Sequence, residues 1–186
     1  MNPPTPAALF PYAGVWAYHM RMADTELQAE VKQALERSGI SYKVLACDPN
    51  FADTAAFCEK YGFTEDQSAN TIIVASRKVE PTKYAVCVVL ATTKLDVNKK
   101  VCSLLGVKRA SFADAETTKK LSGMEIGGVT AIGIADLPIY VDSAVTEQTE
   151  VVMGGGNRTS KVLLAPIELL KLPNVEVVEA LALPKG

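Results

Sequence analysis

Gly127-Gly128-Val129-Thr130 and Gly154-Gly155-Gly156-Asn157-Arg158 are two short glycine clusters in the second half of a 186-residue chain, each placed after a strand-like run. Glycine lets main-chain N–H groups approach a ligand closely and adopts positive φ values that other residues resist. Two backbone-lined turns of this kind are expected to face one small pocket; the plainer account is a pair of tight turns. The order of elements around them decides between the two.

Before the first cluster, Leu27, Val31, Ala34 and Leu35 recur at helical spacing, and the reading is a helix over 24–38 closed by Ser38-Gly39. A strand is expected over Tyr42–Cys47, and a second helix from Asp53-Thr54 to Tyr61, stopped by Gly62. Thr71–Ala75 and Tyr84–Leu90 are apolar, β-branched runs that read as a hairpin with a long loop. Asp96 opens a third helix that runs to Gly106, and Asp114–Leu121 fits a fourth. Strand-like pieces follow at Ile132–Ile134, Ile139–Val141, Glu150–Val152 and Lys161–Leu164, then a short helix from Pro166 and a last strand over Val175–Val178. Helices and strands mix without strict alternation. The expected fold is therefore mixed α/β: one domain over 23–186 with a twisted, partly barrel-like mixed sheet flanked by helices. Residues 1–22, with several prolines and aromatics, read as an arm of their own.

A net charge of −2, with 48% hydrophobic and 22% charged residues, excludes a disordered acidic or basic chain and provides no general field for polyanions. Contact with nucleic acid would need a local basic patch, and DNA is not an expected partner. Cys47, Cys58, Cys87 and Cys102 lack C-x-x-C spacing and His19 is the single histidine, so neither a metal site nor a cofactor is expected. Cys87, inside an apolar run, reads as a buried small hydrophobe. Reduced thiols, the lack of a leader-like start and of a membrane-length apolar stretch suggest a cytoplasmic protein off the membrane.

Asn70-Thr71-Ile72-Ile73-Val74, Ala85–Val89, Leu95-Asp96-Val97, Ala113-Asp114, Gly127–Gly133, Leu137–Asp142 and Val152–Gly156, in that order, resemble the YbaK/prolyl-tRNA-editing family over roughly four-fifths of the chain. The resemblance implies a YbaK-like fold and a trans-acting aminoacyl-tRNA deacylase. The partner would be the acceptor end of an aminoacyl-tRNA, with a synthetase as a further possible partner; the oligomeric state stays open. The alternative is a non-catalytic module of the same fold that binds tRNA ends or a small amino-acid-like ligand. Two positions depart from the family pattern. Asn70 stands where editing members usually carry a lysine, and Ala131 where their glycine loop often has proline.

An aminoacyl ester is already activated, so a deacylase must place it, hold a water and stabilise the developing oxyanion. The resemblance assigns this work to Asn70, Thr71, Gly127 and Gly128, and substrate contacts to Thr130, Asp142, Met153, Gly154, Gly155, Gly156 and Arg158. Each has a plainer role as a turn, strand or capping residue. Met153 stands where some members carry serine, which makes that wall more apolar. Arg158, Lys161, Lys99, Lys100, Lys119 and Lys120 are candidate phosphate contacts, although charge runs are usually solvated faces.

Overall fold

Val31, Ala34 and Leu35 lie buried along helix α1, Ala29–Arg37, and bring it onto the main core. A computed structural model describes residues 25–185; the predicted arm over 1–22, with His19, lies outside them. Next come β1 (Lys43–Ala46), a 3-10 turn (Pro49–Phe51), α2 (Thr54–Tyr61), β2 (Ala69–Ser76), β3 (Tyr84–Leu90) and β4 (Thr93–Leu95). A π turn (Val97–Val101) runs into α3 (Cys102–Leu105), followed by β5 (Ala110–Phe112), α4 (Ala115–Ser122), β6 (Ile139–Asp142) and α5 (Ser143–Thr146). The chain ends with β7 (Val151–Gly154), β8 (Ser160–Leu164), a 3-10 turn (Pro166–Lys171), β9 (Val175–Val178) and β10 (Ala182–Pro184).

The central sheet has the order β5-β2-β3-β6-β9. β2 is antiparallel to β3 and β5, whereas β3 to β6 and β6 to β9 are parallel, which makes the sheet mixed. β3 is apolar throughout because both of its faces are covered. Val86 and Val88 join the core under α1, while Ala85, Cys87 and Val89 join a second core with Leu95, Val101 and Leu105. Burial holds the Cys87 thiol neutral, its pKa pushed up to about 12. A second sheet, β1-β8-β7, carries α2 through a third cluster of Cys47, Ala52, Phe57, Val152 and Leu163. A parallel bridge between Ser68 and Val152 brings its β7 beside the start of β2.

The mixed α/β architecture is as expected, but the strands form three sheets of five, three and two strands, with no closed barrel among the described residues. The helix predicted from 24 begins only at Ala29. Gln28 stays extended (φ −56°, ψ 142°) because its N–H donates to Gly155 O at 3.0 Å and its Nε2 to Gly123 O at 2.9 Å, bonds that outweigh local propensity. Ile132–Ile134 is a buried turn, with Ile134 N donating to Ala131 O at 3.3 Å, and not a strand. The third helix starts as a π turn capped by Asp96, whose Oδ1 accepts from Lys99 N at 3.1 Å.

Candidate functional site

β5 pairs only with Val74, Ala75 and Ser76, so the first half of β2 has an open edge. The Ile73 carbonyl still accepts from Ala113 N on that side, at 2.8 Å. Two residues earlier on the strand, Thr71 turns its main-chain N–H and C=O to the same open side. The space beyond is a pocket of about 430 Å³, toward the small end of the roughly 300–1,000 Å³ typical of ligand sites. It is walled by the start of α2, the 68–73 edge of β2, Phe112 and Ala113, Thr118 of α4, the 126–129 loop, and Val152–Gly154 with Lys161.

Asn70 lies on this wall. Its Oδ1 accepts from Thr54 Oγ1 at 2.8 Å, which leaves the amide nitrogen with no acceptor among the described residues. The Thr71 hydroxyl is buried at the pocket and has no hydrogen-bond partner among the described residues. A buried polar atom left unpaired costs about 1–3 kcal/mol. Such a group is expected where a ligand completes the bonding.

Of the first glycine cluster, Gly127 lines the pocket, at φ +90°, and Gly128 does not. This cluster follows the end of α4 and a short irregular stretch, not a strand, and Gly127 and Gly128 themselves sit in a turn. Of the second, Gly154 lines the pocket together with Met153, whereas Gly155 and Gly156 lie behind it. The two clusters pack against each other: Gly156 N donates to Gly128 O at 2.8 Å, and Gly128 N to Glu125 O at 2.9 Å. A Cβ on Gly128 would come within 2.1 Å of Asn157 O, and one on Gly154 within 2.2 Å of Gly128 O. Close main-chain approach between the loops requires these glycines.

Thr130 is fully buried and its Oγ1 accepts from Ile132 N at 3.4 Å, inside the loop that carries Gly127. Asp142 is buried away from the pocket; its Oδ1 caps α5 at Ala144 N and its Oδ2 accepts from Ala182 N at 2.6 Å. Arg158 ties three segments together. It donates to Pro49 O through Nε and Nη2, to Ile126 O through Nη1 at 2.9 Å, and pairs with Asp53 at 3.3 Å. Lys99, Lys119 and Lys120 are exposed.

Lys161 is buried, only 7% exposed, with its ammonium directed inward. Nζ donates to Ala52 O at 2.6 Å and Gly127 O at 2.8 Å, and sits 5.3 Å from the centre of the Phe57 ring. Burial pulls its pKa below the usual lysine value, and the positive charge of Arg158 adds to this, while Cys47 and Asp53 oppose it. Sequence reasoning missed the inward turn of Lys161 and the Thr54 bond to Asn70. The one available signal was a lysine heading the apolar run Val162-Leu163-Leu164 of a buried strand. No group of three His, Cys, Asp or Glu side chains among the described residues could hold a metal ion.

Residues 48–172 match the family model of the aminoacyl-tRNA editing domain. A protein of Enterococcus faecalis named as a candidate Cys-tRNA(Pro)/Cys-tRNA(Cys) deacylase, EbsC, is 22% identical over 163 residues, covering 86% of this chain and 97% of that one. A crystal structure described as a candidate trans-editing enzyme for prolyl tRNA synthetase superposes with a TM-score of 0.70 at 25% identity, over 87% of this chain and 100% of that one. A crystal structure of a hypothetical protein gives a TM-score of 0.71 at 21% identity, over 81% and 97% of the two chains, and shows the shared fold.

Proposed function

This chain belongs to the aminoacyl-tRNA editing domain family, and from that premise we propose that it is a trans-acting aminoacyl-tRNA deacylase that hydrolyses the ester of mischarged tRNA, of the prolyl-tRNA-editing type. The observation that carries the reading is the pocket at the open edge of β2, where the Asn70 amide, the unpartnered Thr71 hydroxyl and the Gly127 main chain meet in about 430 Å³. That space suits a small aminoacyl group and part of its ribose.

In the proposed reaction a water oxygen attacks the acyl carbon while the adjacent ribose hydroxyl and main-chain groups hold the water. The acyl–oxygen bond to the ribose breaks, and the proton lost by water ends on the ribose oxygen. Asn70 donates to the carbonyl oxygen as it gains charge, and Thr71 fixes the aminoacyl group. Removing one oxyanion donor typically costs about 10²–10³ in rate. Size sets the selectivity: a synthetase pocket separates amino acids differing by a methylene by only about 10–200-fold, and a second, smaller pocket excludes the correct product. Met153 and Val152 make the inner wall apolar, which suits alanyl or cysteinyl groups.

The test is deacylation of alanyl-, cysteinyl-, seryl- and prolyl-tRNA(Pro). Turnover of at least one mischarged species above the spontaneous rate, with prolyl-tRNA(Pro) spared, is the expected result. No turnover of any of them would overturn the proposal.

A further inference from the structure

We propose that Lys161 is a catalytic residue of this pocket, its ammonium donating a charged hydrogen bond to the carbonyl oxygen of the aminoacyl ester; the inference rests on the deacylase reading above.

Lys161 and Asp53 are the charged side chains of the pocket wall, and Asp53 is committed to Arg158. Two of the three ammonium protons go to Ala52 O, just before α2, and to Gly127 O, in the 126–129 loop. No carboxylate of the described residues lies within ion-pair distance of Nζ, and the negative charge of Asp53 acts on the buried ammonium only from farther away. An unpaired buried charge is expensive and persists where a ligand or a reaction uses it. The two carbonyls constrain the direction of the remaining N–H, which has no oxygen or nitrogen acceptor among the described residues and only the Phe57 ring face, 5.3 Å from Nζ, beside it. The bonded Gly127 carbonyl belongs to the loop expected to hold the substrate, so the ammonium and the loop are placed together. An oxyanion forming on the acyl carbon would accept the third proton. Lys161 keeps all three protons throughout: water still supplies the proton that the ribose oxygen takes. Charge-assisted donors are roughly twice as strong as neutral ones, which supplies what the neutral Asn70 amide lacks.

The experiment compares wild type, Lys161→Met and Asn70→Lys/Lys161→Met in deacylation of the mischarged tRNA(Pro) panel, with thermal melting of each protein. The expected result is a kcat lower by about 10²–10³ in Lys161→Met, with KM changed less than about three-fold. A lysine reaching the same pocket from β2 in the double variant should recover at least about ten-fold of that loss. A kcat for Lys161→Met within about three-fold of wild type overturns the proposal, as does a loss that the double variant fails to recover, since Lys161 then only ties two loops together. If Lys161→Met does not fold, Lys161→Gln carries the same comparison. Binding of a phosphonate analogue of alanyl-adenosine, whose charged tetrahedral oxygens mimic the oxyanion, separates this proposal from the deacylase reading. Without wild-type turnover, binding weakened about ten-fold in Lys161→Met overturns that reading and supports the Lys161 contact, whereas equal binding overturns both.

Discussion

At Asn70 one hydroxyl decides which way an amide points. Thr54 Oγ1 donates to Oδ1 at 2.8 Å, and with the oxygen so engaged the NH₂ is the donor left over on a side chain of the pocket wall. Removing that hydroxyl frees the amide to turn. A net hydrogen bond is worth about 1 kcal/mol, so Thr54→Val is expected to lower single-turnover deacylation by roughly five-fold. Asn70→Ala removes the donor itself and should cost about 10²-fold in kcat. Asn70→Asp replaces the NH₂ with a second acceptor that repels the oxyanion, and should be slower than Asn70→Ala. Equal rates in wild type and Asn70→Ala would remove Asn70 from the reaction. The identity of residue 70 was plain in the sequence, whereas its partner was not: Thr54 lies 16 residues away, in a helix that reaches β2 only through tertiary packing.

Between elements, the tightest fit is that of the two glycine loops. Neither Gly128 nor Gly154 has positive φ; both are required because backbone carbonyls lie where a Cβ would go. Gly62, by contrast, ends α2 at φ +74° with nothing within 4 Å of an added Cβ. The two situations predict different costs. Gly62→Ala should lose about 1 kcal/mol, the penalty of a left-handed residue without glycine. Gly154→Ala should lose more, about 2–3 kcal/mol, since rigid main chain must move apart. Urea unfolding of both variants checks the order, and a smaller loss at Gly154 would contradict it. Local signals made the Gly62 stop legible: an N-cap Asp53, an apolar side and a terminal glycine. The same held for β2 and β3, whose apolar runs are long. The start of α1 was not legible, because Gln28 spends its backbone and side chain on Gly155 and Gly123, far away in sequence. Nor was the division between the glycines: spacing alone does not tell Gly127 and Gly154 on the pocket from Gly128, Gly155 and Gly156 behind it.

For the whole molecule, the proposed substrate is a polyanion and the net charge is −2, so local charge must guide it. α4 presents exposed Lys119 and Lys120 next to Thr118, a residue of the pocket wall. Lys119→Glu/Lys120→Glu should raise KM for aminoacyl-tRNA without changing kcat, and should reduce the slope of log KM against log salt by up to about 1.4, at roughly 0.7 per lost phosphate contact. Buried charge sets the second global property. With its pKa lowered by desolvation, Lys161 binds its proton less tightly in the folded than in the unfolded chain. Between the lowered value and the ordinary 10.5 the unfolded state therefore holds more protons, and stability rises with pH through that window. Below it both states are protonated and the folded protein bears the full cost of the buried ammonium. Cys87 acts in the opposite sense: its thiol, pushed up to about 12, makes the folded state lose stability as pH rises above 9.0. Lys161→Met keeps Cys87, so the difference between wild type and variant isolates the lysine. Urea unfolding at several pH values should show wild type gaining on Lys161→Met as pH rises toward 10.5, while kcat of wild type falls over the same window as the proposed donor loses its proton. A stability difference independent of pH would mean that the ammonium is as well solvated in the folded chain as in the unfolded one, and a falling difference would mean that its charge is stabilised by a partner.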